Sequence, residues 1–259
     1  KIGDTLYNVG DTNAASLLGY RVKAYYKQDK ASGENVLVYV LPYKTDVVTI
    51  NSDKIDKYSE NILFYRTGME SDDEKTVQLK VSDKADVIYN GKAYPEYQPG
   101  DFIVPDGSLT MLDNDLDDRY DVVIITKLDD YVVSSVNVND KAIYSKYPKN
   151  GKLDLDNISD ENLNIIDSEG QLLNIKDINA DDVLMVKKSK DGTYAEIVVS
   201  SNKLDGTITE RIDASEAEIN YLMKKVAPSF QSDFASLSVG YTGTFFVDAR
   251  GKIAGVDSK

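Results

Sequence analysis

The chain has 259 residues, 41% hydrophobic and 29% charged, which is enough apolar material for two domains or three small ones and excludes compositional disorder. Its net charge of −14 works against binding nucleic-acid phosphates or anionic lipid and favours cations. With no Cys, His or Trp, the chain has no disulfide, zinc ribbon, thiol nucleophile or histidine-based catalysis of its own.

The chain opens at Lys1-Ile2-Gly3-Asp4, without Met and without a signal-peptide pattern, as an internal piece of a longer protein would. Period-two alternation begins at Gly19–Lys27, where Tyr20, Val22, Ala24 and Tyr26 fall on one face of a strand. A polar turn at Gln28–Glu34 leads to a second β-rich run, Asn35–Leu41. Asn90-Gly91, between Asp86–Tyr89 and Lys92–Tyr94, is a hairpin signal because Asn and Gly tolerate positive φ. A further hairpin spans Leu109–Thr126, with its turn at Asp113–Arg119. Lys127–Asp130 marks a module edge before the strand Tyr131–Val138. Asn157–Asn162 reads as a loop, and Asp177–Asp182 as a turn into the hairpin Val183–Ser200. That hairpin turns at Ser189-Lys190-Asp191-Gly192. Asn202–Gly206 is a second edge. Asp213–Val226 carries Ser215-Glu216-Ala217-Glu218, a capping-box pattern, then Ile219, Leu222, Met223 and Val226 at helical spacing with Pro228 as a stop. Taken locally, that is an amphipathic helix. Gln231–Asp233 reads as a loop, and Thr244–Asp257 as a closing hairpin through Ala249-Arg250-Gly251-Lys252.

The recurring unit is strand, acidic or glycine-bearing turn, strand. It predicts an all-β protein of two or three small antiparallel β-barrel or β-sandwich modules in series, with little helix. The expected modules are 1–127, 128–203 and 204–259. No apolar run approaches the roughly 20 residues of a membrane helix, so membrane insertion by this chain is not expected.

The sharpest chemical feature is Asp113-Asn114-Asp115-Leu116-Asp117-Asp118-Arg119-Tyr120-Asp121. Asp113, Asp115, Asp117 and Asp121 take positions 1, 3, 5 and 9 of an acidic loop, and alternate oxygens of a tight loop can converge on Ca²⁺. Calcium is therefore the candidate ion and these four residues its candidate ligands. Asp118 stands where a calcium loop usually has Gly, and Ile124 where it has a bidentate acid. A solvated acidic turn is the competing reading. Glycoside hydrolysis needs two facing carboxylates, but with 44 acids pairs are guaranteed by count, and no sugar-stacking Trp exists. No phosphate-binding loop precedes a helix. The 18 Tyr suit half-exposed strands, or a strip on the surface that binds a partner.

Several stretches resemble the β-rich modules of S-layer homology-domain-containing cell-surface proteins of Gram-positive bacteria. They are Val87–Tyr94, Asp106–Asp115 running into Arg119–Val123, Asp181–Val186 with Ser189–Gly192, and Leu237–Asp248 with Gly251–Ala254. The likeness covers most of residues 80–259 and carries no catalytic residue. It implies a secreted, cell-wall location, with a wall polymer or other surface proteins as partners. It also implies a hairpin near Ile219–Phe230, which makes strands the preferred reading of 213–226 while the helix stays open. The expected function is a non-catalytic spacer or adhesive segment, not an enzyme. A glycan- or protein-binding module of the wall is the alternative, and an accessory region of a secreted glycoside hydrolase the second.

Overall fold

A computed structural model describes residues 1–68 and 75–258. Residue 259, the expected end of the third module, lies outside them. The protein is all-β, with 52% strand and 10% helix, in sheets of sandwich and barrel type. Its strands are β1 (Val22–Gln28), β2 (Asn35–Pro42), β3 (Asp46–Asn51), β4 (Ile55–Ser59), β5 (Ile62–Thr67), β6 (Lys75–Tyr89), β7 (Lys92–Ala93), β8 (Gly107–Asp113), β9 (Tyr120–Lys127) and β10 (Asp129–Asn137). They continue as β11 (Ala142–Ser145), β12 (Lys152–Asp154), β13 (Leu163–Asp167), β14 (Val183–Lys188), β15 (Ala195–Ser200), β16 (Asn202–Arg211), β17 (Glu216–Ile219), β18 (Leu222–Lys225), β19 (Thr242–Val247) and β20 (Ile253–Ser258). The chain divides into two compact units, Lys1–Val104 with Ser108–Ile125, and Pro105–Gly107 with Thr126 onward.

In the first unit, the sheet has the order β3-β8-β9-β6-β5-β4, with β3–β8, β4–β5 and β5–β6 antiparallel and β6–β9 parallel. Alternation gives it two apolar faces. Leu109, Met111, Val123 and Ile125 join Leu63, Val81 and Phe102 on one side. Leu112, Val122 and Ile88 lie on the other, with Tyr20 and Ile124 against them. β1 and β2 form a separate two-stranded ribbon. Val22 and Ala24 share the half-buried face that the alternation predicts, and a bulge at Val38 of β2, opposite Tyr25 and Tyr26, shifts the register between the two strands. Asn90 and Gly91, at φ 43° and 84°, make the β6–β7 turn.

In the second unit, a six-stranded sheet (β12-β11-β10-β14-β15-β13) is followed by a five-stranded one (β18-β17-β16-β19-β20). Each covers its own core: Val133, Ile143, Leu184 and Ile197 in the first, Ile208, Ile219, Phe234 and Phe245 in the second. A third cluster joins them, with Val132 and Val183 from one sheet against Phe246 and Ala254 from the other and Ala227 from the segment after β18. The Tyr147 hydroxyl seals that contact by accepting from the Val256 N–H (2.8 Å) and donating to the Val256 carbonyl (3.3 Å).

Residues 216–225 form the hairpin β17–β18, and the helix does not form. Asn220 and Tyr221 turn it at φ 51° and 66°. Gln231–Asp233, expected as loop, lies in a single helical turn, Gln231–Phe234.

Gly107 starts β8 at φ 130°, and a Cβ there would lie 1.8 Å from the Thr126 carbonyl oxygen. Gly107→Ala should therefore lower stability by about 3 kcal/mol, at the upper end for a strained backbone position. Urea denaturation measures this, and an unchanged midpoint would show that the two strands do not approach so closely.

Candidate functional site

Two acidic clusters merit a chemical reading, one in each unit. The first is the loop between β8 and β9. Asp113 ends β8 on its core-facing side and is buried. Its Oδ1 accepts from the N–H groups of Leu116 (2.6 Å) and Asp117 (3.4 Å), and its Oδ2 from that of Asp118 (3.0 Å). A carboxylate caps the loop because short Asp side chains satisfy nearby backbone donors. The loop passes through left-handed geometry at Leu116 and Asp118, both at φ 65°. Asp118 thus occupies the conformation that would suit the glycine expected there.

One oxygen each of Asp113, Asp115 and Asp117 lies within 4.8 Å of the others, the spacing of a cation site. Asp121 stands outside this trio, and its Oδ2 accepts from the Asn114 N–H (2.9 Å). Local desolvation, then the carboxylates of Asp121, Asp117 and Asp113, pushes the Asp115 carboxyl above its ordinary value. A divalent cation would relieve that repulsion.

Asn114, which the acidic pattern gave no role, clamps the open end of the β1–β2 ribbon, where the chain enters β1 and leaves β2. Its Oδ1 accepts from the Arg21 N–H (2.8 Å) and the Thr45 hydroxyl (2.9 Å), and its Nδ2 donates to the Gly19 carbonyl (3.0 Å).

The second cluster is invisible in the sequence pattern. Asp106, Asp130 and Asp248 are 4%, 3% and 0% exposed, too little for solvent to neutralise their charge. Arg250 answers it with a fork. Its Nη1 and Nη2 donate to the two oxygens of Asp106 (2.6 and 2.8 Å). Its Nε and Nη2 donate to Asp248 Oδ2 (3.0 and 2.8 Å). Lys252 Nζ adds bonds to Asp106 (3.0 and 3.1 Å). The β19–β20 turn positions both bases, because Asp248 Oδ1 accepts from the N–H groups of residues 250 and 252 (2.8 Å each).

Burial acts upward on the Asp106 carboxyl, but the hydrogen bonds and charge of Arg250, with Lys252, hold it below its ordinary value. Asp130 differs. Its Oδ2 is 3.5 Å from Arg250 Nη2, and its buried Oδ1 has no hydrogen-bond partner among the described residues. Burial, then the Asp248 charge, pushes it up to about 7. Three acids against two bases leave one negative charge over, and a proton on Asp130 removes it.

A groove of ≈ 410 Å³ opens in the second unit beside β13, walled by Val138, Leu163, Ile165, Leu173 and Ile175. Its one carboxylate, Asp160, is paired with Lys141 at 2.6 Å. The two-acid arrangement of a glycosidase is not what lines it.

Compared with known proteins, the sequence matches no family model and no curated relative.

Proposed function

We propose that this chain is a non-catalytic spacer segment of a secreted cell-surface protein. The observation that carries the reading is the Arg250 cluster. In the second unit the carboxylates of Asp106, Asp130 and Asp248 are buried and give a substrate no access, although Arg250 and Lys252 stay partly exposed. A guanidinium forked between two buried carboxylates fixes strand positions and does no proton transfer. The turn-and-strand resemblance to wall-protein modules supports the location. Protease treatment of intact cells of the source organism tests it. Peptides of this chain should be released while cytosolic markers stay inside, and recovery only after lysis would end the reading.

Calcium at Asp113, Asp115 and Asp117 suits the same role, as a rivet in the loop that clamps the ribbon. Millimolar calcium should raise the melting temperature and excess chelator should reverse the rise. A 100-fold excess over Kd corresponds to about 2.7 kcal/mol. Identical melts with calcium and with chelator would remove the ion from the account.

A further inference from the structure

We propose that the exposed face of the β1–β2 ribbon is a self-association surface that seats the acidic surface of a second copy of this chain. This goes beyond the spacer reading and does not need it to hold.

The ribbon has almost no core of its own. Among residues 1–49, Leu37 and Val40 are the only buried side chains. An isolated two-stranded sheet is marginal in water without a further layer. Residues 7–8 extend the ribbon sideways, with Asn8 bridged in parallel to Val36 at the edge of β2, and on the Tyr26 face the Tyr7 ring packs edge-on at 5.1 Å. The opposite face is bare. Lys23 lies across from Leu41 and Tyr25 across from Tyr39, so these four share that face. Tyr25, Tyr39 and Leu41 are 58%, 55% and 40% exposed, and Val38 in the bulge 56%. Of the nineteen exposed large apolar side chains among the described residues, Tyr25, Tyr39 and Leu41 stand together on this one face, with Val38 beside them. A concentration of this kind marks an interaction surface, whereas scattered apolar residues do not. Among the described residues β2 is the one partner strand of β1, so the outer edge of β1 pairs with no strand there.

Charge selects the occupant. Residues 20–44 hold five basic side chains (Arg21, Lys23, Lys27, Lys30 and Lys44) and two acidic ones, a net of +3. The whole chain is at −14, so the remaining residues carry −17. Lys23 Nζ sits 4.1 Å over the Tyr43 ring, with Arg21 and Lys44 about the same ring at 5.5 and 5.6 Å. Cations thus border the apolar face. The partner that fits is a protein surface with excess carboxylate, and the rest of this chain is one. Two ribbons face to face would set +3 against +3. The contact is therefore heterologous, ribbon to acidic surface, and leaves a free ribbon on the second copy.

Sedimentation velocity over a concentration series tests this at about 0.01 M and about 1 M salt, where the Debye length falls from about 30 to about 3 Å. The expected result at low salt is a weight-average sedimentation coefficient that rises with concentration past the dimer value and falls back at high salt. The pairs Lys23→Glu with Lys27→Glu, and Tyr25→Ser with Tyr39→Ser, should each weaken association about tenfold or more, with unchanged melting because these positions are exposed. Should either pair melt early, Lys44→Glu, outside both strands, carries the charge test alone. A monomer at every concentration overturns the proposal. So does a closed dimer, or association indifferent to salt and to all these substitutions. A chain that stays monomeric but binds an anionic glycan through the same residues also overturns it, since the face then serves a foreign partner.

Discussion

Arg250→Ala should destabilise the second unit by about 3–5 kcal/mol, the scale on which removing one partner of a buried ion pair is felt. Asp248 loses both of its guanidinium bonds and keeps two backbone N–H donors. Asp106 loses the fork and keeps Lys252 alone. The carboxylates that remain cannot recover hydration where they lie. Arg250→Lys should restore part of the loss, since an ammonium supplies charge without the planar fork. Urea denaturation of wild type and both variants measures this. A loss below about 1 kcal/mol for the alanine variant would place the cluster with exposed ion pairs, which contribute little.

Asp130→Asn should change the shape of the pH–stability curve. The folded-state carboxyl titrates at about 7, against an ordinary value of 3.8. Between those values the native state holds a proton that the unfolded chain has released, so stability falls as pH rises through this window. Below it both states are protonated and the effect vanishes. Above it the cost is constant, on the order of a few kcal/mol. Asp106 titrates below its ordinary value and does not contribute a slope here. Asparagine carries no charge to release, so the variant should match or exceed wild type at pH 8 and lose that advantage toward pH 4. Melting temperatures across pH 4–8 measure the difference. Parallel curves would mean that Asp130 is ionised throughout and that the leftover charge is neutralised by another group.

The strands were legible wherever one face is buried. Leu109 and Met111, or Val123 and Ile125, alternate with residues of the opposite face, and the cores follow that alternation. Residues 213–226 misled for a local reason. Asp213 Oδ1 accepts from the N–H groups of Ser215 and Glu216, which imitates a helix cap but opens a strand. The helical spacing was also false: Ile219 and Val226 are buried, while Leu222 and Met223 lie exposed. The period-two signal, Ala217 and Ile219 both fully buried, was present in the same residues.

The Arg250 cluster could not be found by spacing, because Asp106 stands 144 residues from its partner. Asp130 did carry a hint. It shares strand parity with Val132, so an acid falls on a core-facing position, which calls for a partner or a proton. Asn114 lay hidden among five aspartates, since the pattern selects carboxylates and its contacts, two to backbone and one to the Thr45 hydroxyl, are far away in sequence.

Residues 105–107 belong to the second unit while 108–125 return to the first. No single cut of the polypeptide therefore releases either unit whole. Truncation at residue 127 would discard Asp106 and leave Arg250 and Lys252 facing Asp248 and Asp130 without it. During synthesis, the Asp106 carboxylate must also wait for some 140 further residues to emerge before its bases arrive. A fragment meant to fold alone would have to graft residues 105–107 back on, and a nascent chain shields them last.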